Sequence, residues 1–521
     1  MTMSKKPFYL TCAIPYANGE PHIGHAYEVI VGDVLARFKR LDGFDVRFQT
    51  GMDEHGQKNE QTAAKLGITP QELVDRVSAQ FKQLYDDLGI TYDDFIRTTE
   101  PRHQSRAQAF WNKMVENGDI YLGKYSGWYS VRDEAYFDET ELTTTSAGQK
   151  LAPTGAPVEW MEEESYFFRL SKYQDKLLEL YQRNPSFIQP KSRYNEVYNF
   201  VKSGLRDLSV SRTTFKWGVP VPDAPNHVMY VWVDALSNYI TALNYPEAGD
   251  GSLMDKYWPA DVHIIGKDII RFHAIYWPAF LMAAGIELPK VVAGHGFIYN
   301  RGEKMSKSVG NVVAPADLIG RFGLDQIRYF MLRDFSYGHD GDIWDEALIE
   351  RINSDLANDL GNLAQRSLSM IAKNCGGMVP SHGDFTPADQ VLLGKAYGLL
   401  AEVRKEIDGY AFHKALERIW AVIGESNRYV DEQAPWALKK TDPARMETVL
   451  YVLAETVRCI AILVQPVMPA SMDKMLAQLA VPADARDYAC LTADKALVSG
   501  TPLPAPSGVF PRHVVAEVAK G

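Results

Sequence analysis

The hydrophobic pattern changes character three times along the chain. At the start, short apolar runs bounded by turn residues alternate with stretches of helical period. Residues 8–14 read as a strand closed by Pro15 and the turn cluster Ala17-Asn18-Gly19. Ile23, Tyr27, Ile30, Val31, Val34, Leu35 and Phe38 then recur at helical spacing, with Pro21 in the first turn and Gly43 past the end. A second strand over 45–50 leads into Gly51-Met52-Asp53-Glu54-His55-Gly56, and helices are predicted over 70–88 and 103–117. From 118 to 226 the texture becomes Tyr/Trp-rich and strand-like (125–129), then polar and rich in Thr, Ser, Gly and Pro (143–157), which reads as an insertion. Strands return over 228–233, 262–265 and 290–293, with a helix over 268–284. Beyond about Trp344 strand signals fade, and helices over 349–373, 390–408, 412–431 and 447–464 predict a bundle. The fold class expected is α/β: a parallel sheet split by an inserted domain and followed by an α-helical bundle. The tail from Val481, rich in Ala and Pro, has no clear pattern.

Length agrees with several cores, since 521 residues at about 150 per domain give three to four domains. The net charge of −11, from 55 Lys+Arg against 66 Asp+Glu, excludes a general nucleic-acid-coating protein, so any polyanion must meet a local basic patch. Four scattered cysteines (Cys12, Cys375, Cys459, Cys490) supply no disulfide framework and point to a reducing cytoplasm. The short apolar run near the N-terminus lacks the flanks of a signal peptide, and the apolar stretch 449–467 carries Glu455, Arg458 and Pro466, so a soluble protein without a membrane span is expected.

Two short motifs carry chemistry. His22-Ile23-Gly24-His25 sits where the first strand hands over to the first helix. A helix N-terminus concentrates unpaired N–H groups and partial positive charge, which suits phosphate. Two imidazoles three apart share a face and can donate to phosphate oxygens as charge builds, while Gly24 leaves room for a base or ribose. In isolation such a pair is more often two partly buried histidines near a helix start. Lys304-Met305-Ser306-Lys307-Ser308 lies in a loop between Gly302 and Gly310. At an effective dielectric near 20, a unit charge about 4 Å from a phosphate oxygen contributes roughly 4 kcal/mol, so these lysines can stabilise a departing pyrophosphate.

Together the two motifs resemble the class I aminoacyl-tRNA synthetases, and the surrounding text resembles the methionyl-tRNA synthetases within that class. The supporting stretches are Cys12 to Gly19, Tyr230-Val231-Trp232-Val233-Asp234-Ala235, Ile265-Gly266-Lys267-Asp268 with Phe272-His273, and Asn427 to Trp436. The resemblance implies a Rossmann-like sheet (1–117 and 227–295) split by a connective insertion (118–226). It also implies a loop and stem-contact region (296–348) and an anticodon-binding helical domain with its tail (349–521). It implies two steps: methionine attacks the α-phosphate of ATP to give methionyl-adenylate and pyrophosphate, and the methionyl group then passes to the 3′ end of tRNA(Met), initiator tRNA included. Catalytic residues would be His22, His25, Lys304 and Lys307, with Mg²⁺ arriving on ATP. ATP would also meet Gly24, Gly266, Asp268, His295, Gly296 and Phe297; for Asp268 a helix N-cap is an equal reading. L-methionine would meet Ile14, Tyr16, Trp232, Ala235, Tyr239, Ile269, His273 and Trp277, with Asp53 holding its ammonium. Aromatic walls suit a thioether, at about 0.3–1.5 kcal/mol per sulfur-ring contact. Homocysteine, one methylene shorter, should be imperfectly excluded. Leu236 departs from the Ala-Pro pair of some members.

The insertion departs further. Many relatives carry Cys-rich zinc knuckles there, but no Cys occurs between Cys12 and Cys375, so no structural zinc is expected. Aromatic packing by Tyr125, Trp128, Tyr129, Tyr136 and Phe137 would hold the segment instead. In the helical domain Asn362 and Arg366, four apart on one face, and Trp436 after Pro435 offer hydrogen-bonding groups and a stacking plate for unpaired anticodon bases. A basic track from the Lys304/Lys307 loop to Arg366 would hold tRNA with steep salt dependence. No C-terminal β-barrel module is expected after the bundle, which favours a monomer. Two rivals stand beside this reading. A nucleotidyl transferase acting on a small acid would not need Asn362, Arg366 and Trp436, and a non-catalytic tRNA-binding protein would not keep both histidines and both lysines.

Overall fold

The computed structural model describes residues 5–133, 135–305 and 311–514, the side chains of Tyr125 and Glu163 excepted. Two compact units emerge, one from Pro7–Pro21 with Val46–His295, the other from His22–Asp45 with the chain from Gly296 onward.

The first unit is built on a six-stranded sheet in the order Asp94–Arg97, Asp45–Met52, Pro7–Cys12, Val262–Gly266, Val292–His295, Ile188–Gln189. The registers Leu10↔Val262, His263↔Val292, Val292↔Ile188 and Gln49↔Asp94 run parallel. A central strand such as Val262–Gly266 is buried at every position, which is why it reads as an unbroken apolar run. The crevice at the carboxyl ends of such strands is where open α/β sheets bind ligands. The edge strand Ile188–Gln189 comes from the stretch expected as an insertion, so that stretch completes the main sheet as well as interrupting it.

Two local expectations fail here. The strand expected over 228–233 ends at Met229, and a helix, Val231–Thr241, begins directly after Tyr230. The opening Val-x-Val mimics a strand, but the residues that follow are buried on all sides at helical spacing. The helix expected over 268–284 arrives in pieces: a 3₁₀ turn Lys267–Ile269, a π-helical turn Phe272–Tyr276 and an α-helix Trp277–Ala284. Pro278 has no N–H to give the carbonyl of Ala274, and the Tyr181 hydroxyl donates to that carbonyl instead, at 2.6 Å.

The rest of 118–226 holds an antiparallel sheet in the order Leu208–Ser209, Glu159–Phe168, Ile120–Ser130, Ala135–Phe137. Its far end is a small cluster of Ala152, Ala156 and Val158 packed by Trp128, Phe137 and Leu142. Tyr129 and Tyr136, in contact at 4.7 Å, flank the buried Arg212 with Tyr230. Tyr125, the remaining aromatic expected here, has its side chain outside the described residues.

In the second unit the helix Ile23–Leu41 carries His22 as its N-cap, so Pro21 precedes the helix rather than sitting in its first turn. Its buried Asp33 accepts from Arg328 at 2.6 Å, and Arg328 also donates to the carbonyls of Pro466 and Val467. Asp42 pairs with Arg404 and Lys39 with Asp408, which tie the same helix to the helix Pro387–Asp408. The helix expected over 349–373 is Asp345–Arg351, a π-helical stretch Ile352–Gly361 and Asn362–Asn374. The bundle continues with Phe412–Gln433, Pro435–Thr441, Pro443–Val464 and Pro469–Gln478. The unpatterned tail packs back: Val379 and Gly500 exchange backbone bonds with the Thr501 and Val379 carbonyls, Leu497 N–H meets Glu455, and His513 N–H meets Asn353. Among the described residues no helix is long and apolar enough to cross a membrane.

Candidate functional site

Each unit carries its own group of candidate residues. In the sheet unit the loop after the first strand pairs with the loop after the second. Tyr16 and Asp53 form a parallel bridge, with Asp53 N–H to the Pro15 carbonyl at 2.9 Å and Ala17 N–H to the Asp53 carbonyl at 2.8 Å. This places Ile14, Tyr16 and the buried Asp53 at the carboxyl edge of the sheet.

Trp232, Ala235 and Tyr239 lie on one face of the Val231–Thr241 helix, Trp232 thus not in the strand expected over 228–233. Trp232 stacks on Phe272 at 3.8 Å with nearly parallel rings. His273 stands edge-on to Trp232 at 6.1 Å. Ile14, Tyr16, Trp232 and Ile269 keep part of their surface exposed, whereas Ala235, Tyr239, His273 and Trp277 form a buried layer beneath them.

The hydrogen bonds of that buried layer fit neutral imidazoles. His273 Nδ1 lies 3.0 Å from the Ile269 carbonyl, which only accepts, so Nδ1 carries the proton; Nε2 then accepts from the Tyr239 hydroxyl at 2.7 Å. The same logic applies to His263, whose Nε2 accepts from the Trp277 indole N–H at 3.1 Å and whose Nδ1–H donates to Thr11 Oγ1 at 2.7 Å. Both rings are neutral in this arrangement. Burial pushes His273 down to about 4 and His263 well below its ordinary value. A wall of neutral aromatic and imidazole rings is suited to an uncharged, polarisable side chain.

At the ends of the next strands, Gly266 is in register with His295. The Asp268 carboxylate folds over Gly266, where an added Cβ would stand 2.6 Å from Oδ1. Gly266, not Asp268, is the N-cap of the turn, and the Asp268 side chain is exposed.

In the second unit His22 and His25 form a capping box. His22 Nδ1 accepts from Gly24 N–H at 3.1 Å, His22 N–H goes to His25 Nδ1 at 3.2 Å, and the rings stack at 3.8 Å. With both Nδ1 atoms accepting, the neutral tautomers carry their protons on Nε2. Two N–H donors at the N-terminus of a 19-residue helix make an anion-binding arrangement.

Gly296 packs tightly against the His339 carbonyl, and Phe297 N–H donates to Asp340 at 2.8 Å. Lys304 lies on the short strand Glu303–Lys304, paired with Ile298–Asn300, with its ammonium 5.1 Å from the Phe297 ring. Asn311 Nδ2 donates to the Lys304 carbonyl and Asn300 Nδ2 to the Asn311 carbonyl, which ties both ends of the lysine loop to one strand. Lys307 lies outside the described residues. Further along, Arg366 stands 5.8 Å over the Trp436 ring and bonds Asp431 at 3.0 Å; Trp436 is 51% exposed, and Asn362 is exposed one turn before Arg366.

Reading the sequence missed several residues. His263 completes the buried layer and the partly exposed Phe272 stacks on Trp232 above it; a histidine inside the otherwise apolar Val262–Gly266 was a usable signal. Arg212, 2% exposed among three tyrosines, gave none. Nor did the buried trio Asp234, His55 and His103, which are scattered along the chain. Among the described residues no group of three His, Cys, Asp or Glu is placed to hold a metal ion.

Comparison with known proteins places these features in a family. The family description "tRNA synthetases class I (M)" matches residues 8–368, and "Anticodon binding domain of methionyl tRNA ligase" matches residues 379–519. A methionine--tRNA ligase from Mesorhizobium japonicum is 62% identical over 98% of this chain and 99% of its own, and one from Brucella suis is 60% identical over 99% of each. The solved Mycobacterium tuberculosis methionyl-tRNA synthetase in complex with methionyl-adenylate superposes with a TM-score of 0.95 at 55% identity, covering 97% of this chain and all of that one.

Proposed function

Because the chain belongs to the methionyl-tRNA synthetase family, a class I family of aminoacyl-tRNA synthetases, we propose residue roles for the two-step reaction that charges tRNA(Met) with methionine. The enzyme activates methionine with ATP to methionyl-adenylate and pyrophosphate, then transfers the methionyl group to tRNA. In the first step a methionine carboxylate oxygen bonds to the α-phosphorus as the bond to the bridging oxygen breaks, and pyrophosphate leaves with that electron pair. In the second, the terminal ribose hydroxyl attacks the acyl carbon and AMP leaves. Neither step needs a protein nucleophile, only positioning and stabilisation of developing charge.

The observation that carries this assignment is the His22/His25 capping box. With both Nδ1 atoms accepting from backbone N–H groups, Nε2–H is the donor on each neutral imidazole, set at a helix N-terminus for phosphate oxygens. Lys304 and Lys307 neutralise the departing pyrophosphate, and Mg²⁺, carried in on ATP, supplies further charge compensation there. Gly24, Gly296 and Phe297 line the nucleotide, with Gly266, Asp268 and His295 at the ribose, where Asp268 accepts from hydroxyls. Asp53 holds the methionine ammonium; Ile14, Tyr16, Trp232 and Ile269 contact its side chain over the neutral layer of Ala235, Tyr239, His273 and Trp277. Asn362, Arg366 and Trp436 grip anticodon bases, the guanidinium held by Asp431 and set above the indole. The insertion is proposed to need no zinc, supported by the lack of any cysteine between Cys12 and Cys375 and by the apolar cluster around Ala152. Initiator tRNA as a substrate, a cytoplasmic location and a monomeric state complete the proposal.

Methionine-dependent ATP–pyrophosphate exchange tests the central role. His25→Ala should lower kcat about 100-fold with little change in the methionine KM, since the lost donor acts on charge that develops only in the transition state. A kcat within threefold of the unsubstituted enzyme would remove the histidines from the chemistry.

A further inference from the structure

The Val231–Thr241 helix is buried on both sides, and its two faces differ in kind. Trp232, Ala235 and Tyr239 make one stripe, in contact with Phe272, His273, His263 and Trp277. Asp234, Asn238 and Thr241, at i, i+4 and i+7, make the opposite stripe, and all of them are hydrogen-bonded to other elements. Asp234 Oδ2 meets His55 Nδ1 and Oδ1 meets His103 Nε2, each at 2.6 Å. A carboxylate only accepts, so both imidazoles donate to it. His103 Nδ1 lies 2.8 Å from Thr241 Oγ1, which also lies 3.3 Å from the Asn238 carbonyl, while Asn238 Oδ1 accepts from Gln49 Nε2 at 2.7 Å. Asp234 and His103 are fully buried and His55 nearly so. Burial alone would raise the Asp234 carboxyl, but the two imidazoles outweigh it and hold it down at about 2.

The placement of these partners gives the network its purpose. His55 lies two residues past Asp53, on the segment fixed by the Trp217 indole donating to the Glu54 carbonyl and by Glu54 N–H donating to Thr98. One carboxylate therefore joins the segment proposed to hold the methionine ammonium to the helix proposed to wall its side chain. Rotating the helix by one residue, about 100°, would carry the Asp234 carboxylate and the Asn238 amide into an apolar layer, so the polar stripe admits one setting. Registry is the best-attested use of buried polar groups.

We propose that Asp234 is a positioning residue that sets methionine affinity, holding the Trp232/Ala235/Tyr239 face at a fixed setting against the Asp53 segment through His55 and His103. The proposal rests on the methionine-pocket assignment above. Kinetics of ATP–pyrophosphate exchange test it. Asp234→Ala should raise the methionine KM about tenfold or more, with the ATP KM within about twofold, since the proposed ribose groups lie on other strands. Asp234→Asn, which keeps one acceptor oxygen, should fall between Asp234→Ala and the unsubstituted enzyme. Thr241→Val, which removes the hydroxyl at the outer end of the network, should raise the methionine KM about two- to threefold; it and Asp234→Asn carry the test if Asp234→Ala does not fold. Trp232→Ala is the control for the pocket itself. If Trp232→Ala raises the methionine KM and the Asp234 and Thr241 variants do not, or if they move both KM values together, the positioning role is wrong. If Trp232→Ala leaves the methionine KM unchanged, the pocket assignment fails and the proposal with it.

Discussion

Gly24→Ala separates two reasons for a glycine between the histidines. A methyl group at this position would stand 3.0 Å from His22 Cε1 and 3.1 Å from Nδ1. The ring must yield by a few tenths of an ångström, yet it is held by the Gly24 N–H at 3.1 Å and by its stack on His25 at 3.8 Å. Displacement stretches the cap bond toward 3.5 Å, where it ceases to count, at a cost of about 1 kcal/mol. Alanine returns about as much, because it forms helix more readily than glycine by about 1 kcal/mol. Stability should therefore be nearly unchanged. Catalysis should not be: tilting the His22/His25 stack moves its Nε2–H donors, and where deleting such a donor costs about 100-fold or more, a misaligned one should cost about tenfold in kcat. If room for the base is what matters, the ATP KM rises instead. Pyrophosphate exchange with both substrates varied, beside a denaturant titration, distinguishes these outcomes. A stable variant with kcat and ATP KM both within twofold would refute the geometry argued for the pair.

Three further outcomes are expected. Trp436→Ala removes a stacking surface worth about 1–3 kcal/mol per base and should raise the tRNA KM at least fivefold, leaving exchange without tRNA intact; equal loss in both assays would make the residue structural. Acid should weaken the sheet unit through His273. Its folded value, about 4, lies below the ordinary imidazole value of about 6.5, so the unfolded chain binds more protons between those limits, and stability declines as pH falls from 6.5 to 4, by about 3 kcal/mol in all. His263 adds with the same sign, and a stability that is flat or rising over that interval would contradict the neutral layer. Metal analysis of the purified enzyme should find zinc well below one per chain; one bound zinc per chain would overturn the zinc-free insertion.

What was legible in the sequence follows from how local each signal is. The first strand and helix, the strands Asp45–Met52, Val262–Gly266 and Val292–His295 and the long bundle helices announce themselves by period and by their bounding turns, whereas the short edge strands Asp94–Arg97 and Ile188–Gln189 do not. The two signature motifs are contiguous, and contiguity makes a motif readable: the histidine pair needs only a helix start, and the lysine loop only its flanking glycines. The π-helical turns at Phe272–Tyr276 and Ile352–Gly361 were not legible, because a single widened turn leaves the hydrophobic period almost intact. The first contains the candidate residue His273 and the second directly precedes Asn362.

The Val231–Thr241 helix shows where pattern reading reaches its limit. Amphipathicity identifies a helix by contrast between a buried face and a wet one. Here both faces are buried, and the contrast is between an apolar face against His273 and a hydrogen-bonded face against His55 and His103. A polar stripe inside the molecule looks in sequence like a solvated one, so Asp234 received no role and Val-x-Val reads as strand. What distinguishes the two cases is whether partners exist to satisfy the stripe, and those partners lie 131 and 179 residues away along the chain. Since an unsatisfied buried group costs about 1–3 kcal/mol, such a stripe persists only where tertiary structure completes it. The segment is therefore defined by the assembled sheet unit rather than by its own letters, and a helix so defined can hold an aromatic wall at one setting.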